Sequence, residues 1–333
     1  MADTRIQRGA IIKPARVTIA ALAAAALLAN AAAAQPYPAK PIRLIVPATP
    51  GGGTDVPARI VTQALTDNLG WRFIVDNRGG ASGRIGTELA AKSPADGYTL
   101  LVGNGTPNAV VQSAVPNLPY DTLRDFAAIS LISTSDLILV AHPSLPARTV
   151  KELVALARSK PGEIRFGTVG NLSTTHVTME LFRQLAGINM VHVPYKGAAP
   201  AMVALMSGEV GLYFGSGPSV TPHAKTGRLR MIATAGAKRS KAFPNLPTVG
   251  ETVPGHEASL WYGFLAPAGT PKNIIARLHT AIVTAGRTPR VIEQLAAVGM
   301  ESVNNSPEEF TAFMKAEIAK WRKVVKASGA PVE

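Results

Sequence analysis

The chain has 333 residues and no cysteine, and its 34 Lys and Arg outnumber 21 Asp and Glu for a formal net charge of +13. The missing cysteines exclude a disulfide framework, thiol chemistry and lipid attachment at a cysteine. The basic charges are scattered without any run of five and without interleaved aromatics, so no nucleic-acid partner is expected, and a long-range bias toward small acids is the better use of the charge.

The first predicted element is a leader. Arg5, Arg8, Lys13 and Arg16 precede an apolar, alanine-rich run over 17–29, with small residues at Ala32 and Ala34. This order predicts a signal peptide over 1–34 and a soluble periplasmic product starting near Gln35. About 299 residues then remain, with 30 basic against 20 acidic side chains, enough for one large domain or two medium ones.

Strand-like and helix-like patterns alternate from there: a strand over 43–47, a helix over 55–68, a strand over 72–76, a helix over 84–92 and a strand over 99–102. Short Ile- and Val-rich runs separated by helices are what a parallel sheet covered on both faces requires. A second series follows, with helices over 149–159, 174–185 and 200–206 and strands over 164–167, 190–194, 208–214 and 229–233. Two such series predict an α/β chain of two lobes. The apolar, extended segment 126–141 suits a strand crossing from one lobe to the other, and a second crossing is expected near 260–266. Helices over 271–285, 289–297 and 307–326 finish the chain. If they return to the first lobe, that lobe is discontinuous; a tandem arrangement with a separate helical piece is the alternative.

Chemistry concentrates at two turns. IVPATPGGGTDVPAR, residues 45–59, leaves a strand through Gly51, Gly52 and Gly53 and enters a helix at Thr54, placed as N-cap, with Asp55 in the first turn. Strand, glycine turn and helix N-terminus together make an anion seat. Neither G-x-x-x-x-G-K-[ST] nor G-x-G-x-x-G is present, so nucleotide readings are weak, and plain structural punctuation is the competing reading. RFGTVGNLSTTHVTMELF, residues 165–182, repeats the arrangement: Thr168, Gly170, Asn171 and Leu172 lead to Ser173, Thr174 and Thr175, any of which can cap the helix. Two helix N-termini meeting at one cleft offer unpaired N–H donors and the same sign of dipole, which favours an anion. Thr106 in VGNGTPN is a third candidate contact, although an ordinary turn explains that segment nearly as well.

No catalytic constellation emerges. His176 reads as a cap or packing residue rather than a base, and Asp55 and Ser173 have no assignable triad or G-x-S-x-G elbow. The histidines at 142, 176, 192, 223, 256 and 279 form no close ligand set. No catalytic residue, metal or cofactor is therefore expected.

The residues also carry a family resemblance. YPAKPIRLIVPATPGGGTDVPAR (37–59), VDNRGGASGRIG (75–86), SPADGYTLL (93–101), GTVGNLSTTHVTMELF (167–182), VPYKGAAPA (193–201) and LWYGFLAPAGTP (260–271) resemble the extracytoplasmic receptors of tripartite tricarboxylate transporters, the Bug-type periplasmic receptors. The resemblance implies a two-lobed, periplasmic-binding-protein-like α/β fold with a ligand cleft between lobes. It places 35–140 and 260–333 in a discontinuous first lobe and 141–259 in the second. It further implies a monomer that holds a small organic carboxylate between two strand-to-helix loops, with ordered waters helping, and delivers it to a membrane permease. A sensor acting through a signalling partner, and an enzyme acting on a small carboxylate, are the alternative functions.

Carried over by position, the ligand loops are 48–55 and 168–175. The family often has phenylalanine, proline and glycine where this chain has Ala48, Thr49 and Leu172. Carboxylate oxygens are expected to meet backbone amides of 51–54 and 171–174, with hydroxyls of Thr49, Thr54, Ser173, Thr174 or Thr175 completing the shell and Thr168 and Thr106 as secondary candidates. Asp55 is expected to orient the loop or a water, because two anions at hydrogen-bond distance repel. Ala48 leaves room that favours a bulkier or aromatic acid over a compact dicarboxylate, and Leu172 takes part of that room back. Asn77 and Arg78 are expected to support the lobe, and Trp261 and Tyr262 to pack the core or hinge, with stacking on a cyclic acid as the other reading.

Overall fold

The computed structural model describes residues 37–328; the expected signal peptide lies outside the described residues. From Lys40 on, the described residues form one compact unit.

Strand β1 (Ile42–Val46) leads through the first glycine turn to α1 (Asp55–Leu69), then to β2 (Phe73–Asn77), α2 (Arg84–Ala91) and β3 (Thr99–Asn104). β1 lies between β2 and β3, parallel to both, with Leu44 opposite Val75 and Leu100. Its IRLIV sequence is buried apart from Arg43, as a parallel strand between two helical layers requires. Arg43 is tolerated because its guanidinium donates to Asp76 Oδ2 from Nε at 2.9 Å and Nη2 at 2.6 Å. A π turn, Thr106–Val110, runs into the short helix α3 (Val111–Ala114) before the chain enters β4 (Phe126–Ala141).

After α4 (Val150–Ser159) comes the second series: β5 (Arg165–Thr168), α5 (Thr174–Ala186), β6 (Val191–Pro194), α6 (Ala198–Ser207), β7 (Leu212–Ser216), α7 (Gly217–Lys225) and β8 (Arg230–Thr234). β5 is parallel to β6 and β7. The chain closes with β9 (Ser259–Pro267), α8 (Lys272–Gly286), α9 (Pro289–Ala297), β10 (Met300–Ser302) and α10 (Pro307–Ser328).

The sheet order is β2-β1-β3-β9-β4-β7-β5-β6, with β8 and β10 also paired to β4. β4 joins the two series. Residues 126–136 pair antiparallel with β9, while Leu137 to Ala141 pair antiparallel with β7. The apolar sequence of β4 follows from this position: nearly every residue is buried because the strand has neighbours along its whole length. α8 packs on α1, and α10 packs on β4, the π turn, α3 and α5. Trp261 of β9 is fully buried, with Phe310 and Phe313 of α10 edge-on to its ring at 5.7 Å each. Gly263 is glycine for space, since a Cβ there would collide with the Phe310 ring.

Three elements depart from the sequence expectation. α7 forms despite Pro222 in its interior, helped by Pro218 in its first turn, where a missing N–H costs nothing. The VGNGTPN segment forms the π turn rather than an ordinary turn. β10 is a three-residue strand without a readable period, held by its antiparallel register on β4 with Glu301 opposite Thr134.

Candidate functional site

The C-terminal ends of β1, β3, β5 and β7 open onto one cleft of about 630 Å³. This is the edge at which strand-to-helix turns point their amides, and the volume lies in the range that holds a small organic ligand.

The first turn is held from behind. The Asp55 side chain is buried, and its Oδ2 accepts from the Gly51 amide at 2.9 Å and from Arg59 Nε at 2.8 Å. Its Oδ1 accepts from Asn77 Nδ2 at 2.9 Å, and that same amide group also reaches the Ala48 carbonyl at 3.2 Å. Burial pushes the Asp55 carboxyl up, but the bonds from Arg59, Gly51 and Asn77 outweigh it and hold the group below its ordinary range. Asp55 and Asn77 thus brace the turn outside the cleft lining, and Arg78 turns away to pair with Asp76 at 2.8 Å.

Thr54 stands at the N-cap position of α1 but has helical backbone angles, and its side chain makes no capping bond. The physical reason lies two residues earlier. The Gly52 carbonyl already accepts from the Asp55 and Val56 amides, closing the first turn with backbone alone. The Thr54 hydroxyl is left to the cleft. The amides of Gly53 and Thr54 have no hydrogen-bond partner among the described residues, whereas Gly51 and Gly52 are spent on Asp55 and on the Thr49 carbonyl.

The second turn is built differently. Ser173 is the N-cap of α5, its Oγ accepting from the His176 amide at 3.2 Å and lying 2.9 Å from Thr175 Oγ1. Thr175 Oγ1 accepts from the Val169 amide at 3.2 Å, and Thr168 Oγ1 lies 2.7 Å from His192 Nε2. Three of the amides expected to face a carboxylate are occupied here: Leu172 donates to His176 Nδ1, Ser173 to the Gly170 carbonyl and Thr174 to Thr106 Oγ1. Among the described residues, the amides of Asn171 and Thr175 have no hydrogen-bond partner.

Thr106, from the π turn after β3, reaches the second turn directly. Its Oγ1 accepts from the Thr174 amide at 3.1 Å and lies 3.0 Å from Thr174 Oγ1. Of the two hydroxyl protons, one is taken by the mutual bond and the other is free for a ligand oxygen. Ser82 adds a further link, donating to the Asn171 carbonyl at 2.8 Å.

Of the residues singled out from sequence, Ala48, Thr49, Gly52, Gly53, Thr54, Thr106, Asn171, Leu172, Thr174 and Thr175 line the cleft. Gly51, Asp55, Thr168 and Ser173 lie behind it as the bracing layer just described. Leu172 is at φ 52° and belongs to the buried core, so its side chain joins the apolar wall. Tyr262 borders the cleft, while Trp261 is in the core.

Sequence reasoning missed several lining groups. Arg84 and Lys196 are the charged side chains of the lining, and no Asp, Glu or His is among them. The neighbouring glycines of RGGASGR and KGAAP were the available signal, since both segments are turns following a strand. Tyr213 and Tyr262 border the cleft, the Tyr262 hydroxyl beside Gly53; burial pushes both above their ordinary pKa, and Tyr213 raises Tyr262 further, so both remain neutral. Ser216 sits beside them at the end of β7. Pro107, Val111, Val115, Leu172 and Leu260 form an apolar wall. The cleft therefore combines unpaired amides, neutral hydroxyls, two cations and an apolar side, a composition suited to binding an organic anion.

Comparison with known proteins gives the family. Residues 57–330 match the model of the tripartite tricarboxylate transporter family receptor. Protein BugT of Bordetella pertussis strain Tohama I is 39% identical over 312 residues, spanning 93% of this chain and 96% of that protein. Among solved structures, R. palustris Rpa4515 with adipate superposes with a TM-score of 0.86 at 35% identity, covering 89% of this chain and all of that one. MatC from Rhodopseudomonas palustris with bound malate gives 0.81 at 27% identity, covering 87% and 100%. These neighbours have the two-lobed binding-protein fold. On the extent of the family match and the identity to BugT, this chain belongs to the tripartite tricarboxylate transporter family of receptors.

Proposed function

We propose that the protein is a periplasmic receptor that captures a small organic carboxylate between two lobes and delivers it to a tripartite tricarboxylate-type membrane permease. The observation that carries the reading is the cleft itself. Two helix N-termini supply the unpaired amides of Gly53, Thr54, Asn171 and Thr175, and Arg84 and Lys196 stand among the lining residues without any carboxylate. A hydrogen bond to a charged oxygen contributes about 1.5–3 kcal/mol and a helix dipole about 0.3–1 kcal/mol, so a few such donors support micromolar capture.

Residues 35–140 and 260–333 form the first lobe and 141–259 the second in this reading, with β4 and β9 as the connections that flex when the lobes close. The protein acts as a monomer, exported by the leader and released after cleavage near Ala34. It is not an enzyme: the ligand leaves as it entered. The adipate- and malate-bound relatives support a carboxylate ligand. The apolar wall of Pro107, Val111, Val115, Leu172 and Leu260 and the room beside Ala48 favour an acid with an apolar or aromatic body over one as compact and polar as malate. Calorimetric titration with adipate, malate, citrate, benzoate and amino acids tests this. Tight binding of citrate or malate with none of adipate or benzoate would overturn the preference for an apolar body, and no binding of any acid would overturn the receptor reading.

A further inference from the structure

Behind the second turn lies a buried cluster of ionisable groups, tied to it at the Leu172 backbone amide. His176 is at the third position of α5 and 3% exposed. Its amide is capped by Ser173 Oγ, and its own Nδ1 accepts from the Leu172 amide, each at 3.2 Å. This is the reciprocal logic of a capping box, in which an acidic residue at that position ordinarily supplies the returning acceptor. Here the acceptor is an imidazole. It holds Leu172, a branched residue at φ 52°, in a left-handed conformation that such a side chain resists.

An imidazole nitrogen accepts only when it carries no proton, so this bond leaves Nδ1 bare and puts the ring proton at Nε2. Nε2 faces Glu180 Oε1 at 3.7 Å, and Glu180 in turn accepts from Arg183 Nη1 at 2.7 Å. From β6 the His192 ring stacks on His176 with centroids 4.0 Å apart and planes 11° apart. From β5 come Thr168 and Phe166, both uncharged, on His192. Burial is the main cause that pushes His192 down to about 4, so it stays neutral near neutral pH. Burial raises the Glu180 carboxyl, but His176 and Arg183 outweigh it and hold it ionised.

We infer that His176 is the positioning residue of the ligand turn, holding the Leu172 amide through a bare Nδ1 and so fixing the neighbouring Asn171 amide. The inference rests on the receptor reading for its functional meaning: an imidazole nitrogen fixes the turn without setting the negative charge of an ordinary capping-box carboxylate beneath an anion seat.

The test follows the Leu172 amide by NMR hydrogen exchange in the ligand-free full chain, corrected for intrinsic exchange. His176→Leu should lose protection by roughly tenfold or more relative to the wild type, and His176→Asn, whose Oδ1 stands near the position of Nδ1, should keep it. Protection retained in His176→Leu, or lost in His176→Asn, overturns the inference. If His176→Leu does not fold, His176→Asn against the wild type still decides. Because no ligand is needed, failure to find a carboxylate counts against the receptor reading alone.

Discussion

Gly53→Ala is the sharpest probe of the first turn. A Cβ at this position would sit 2.6 Å from the Tyr262 hydroxyl, 3.1 Å from Ser216 Oγ and 3.3 Å from Ser216 Cβ. Gly53 is not at positive φ, so the backbone accepts alanine and only space is at issue. Tyr262 is 2% exposed, which leaves its ring little room to withdraw. Overpacking of this kind costs about 1–3 kcal/mol. If the turn yields, the Gly53 and Thr54 amides move and the cost falls on binding, as a loss of about 5- to 150-fold in Kd. Gly51→Ala is the matched control. Gly51 is at φ +73° with nothing within 4 Å of an added Cβ, so that variant should lose about 1 kcal/mol of stability and leave the cleft intact. Urea unfolding and calorimetry with the best-binding acid separate the two costs. Equal affinity of Gly53→Ala and wild type, or equal weakening in both variants, would refute the reasoning.

Asp55→Asn should destabilise the fold by about 1.5–3 kcal/mol at pH 7, because the charged acceptor shared by Arg59, Gly51 and Asn77 is lost. The folded pKa of Asp55 is lowered, so its stabilisation is present above the ordinary value of 3.8 and disappears as pH falls through the lower folded value; unfolding curves of wild type and variant should converge there. Thr106→Val removes the acceptor of the Thr174 amide, for an expected loss of about 1–3 kcal/mol in urea unfolding. Arg84→Gln should weaken carboxylate binding by about 0.2–1 kcal/mol and flatten its dependence on salt, both read by calorimetry at two ionic strengths.

Much of the architecture was legible because periodicity and punctuation agreed. The predicted helix over 55–68 is α1 (Asp55–Leu69), ended by Gly70 in the left-handed conformation, and the extended apolar segment 126–141 is β4 in full. α7 was hidden by Pro222, and β10 by its three-residue length. At the site, the two turns could be located because glycine and hydroxyl residues follow strands. Which amides remain free could not be read. That depends on Thr106 reaching Thr174 across 68 positions, on His176 folding back onto Leu172, and on Asp55 taking the Gly51 amide. Tyr213 and Ser216 were missed for the same reason, lying on a strand with no local anion signature and meeting the other lining residues only through the sheet order, whereas for Arg84 and Lys196 the neighbouring glycine turns were a signal.

Native mass spectrometry of the protein, purified from a periplasmic extract and exchanged with a mixture of adipate, malate, citrate and benzoate, tests the central claim most directly. The account predicts one carboxylate bound per chain, retained on gentle ionisation and recovered with unchanged mass on denaturation. A chain that retains none of these acids, or returns an acid chemically altered, contradicts it.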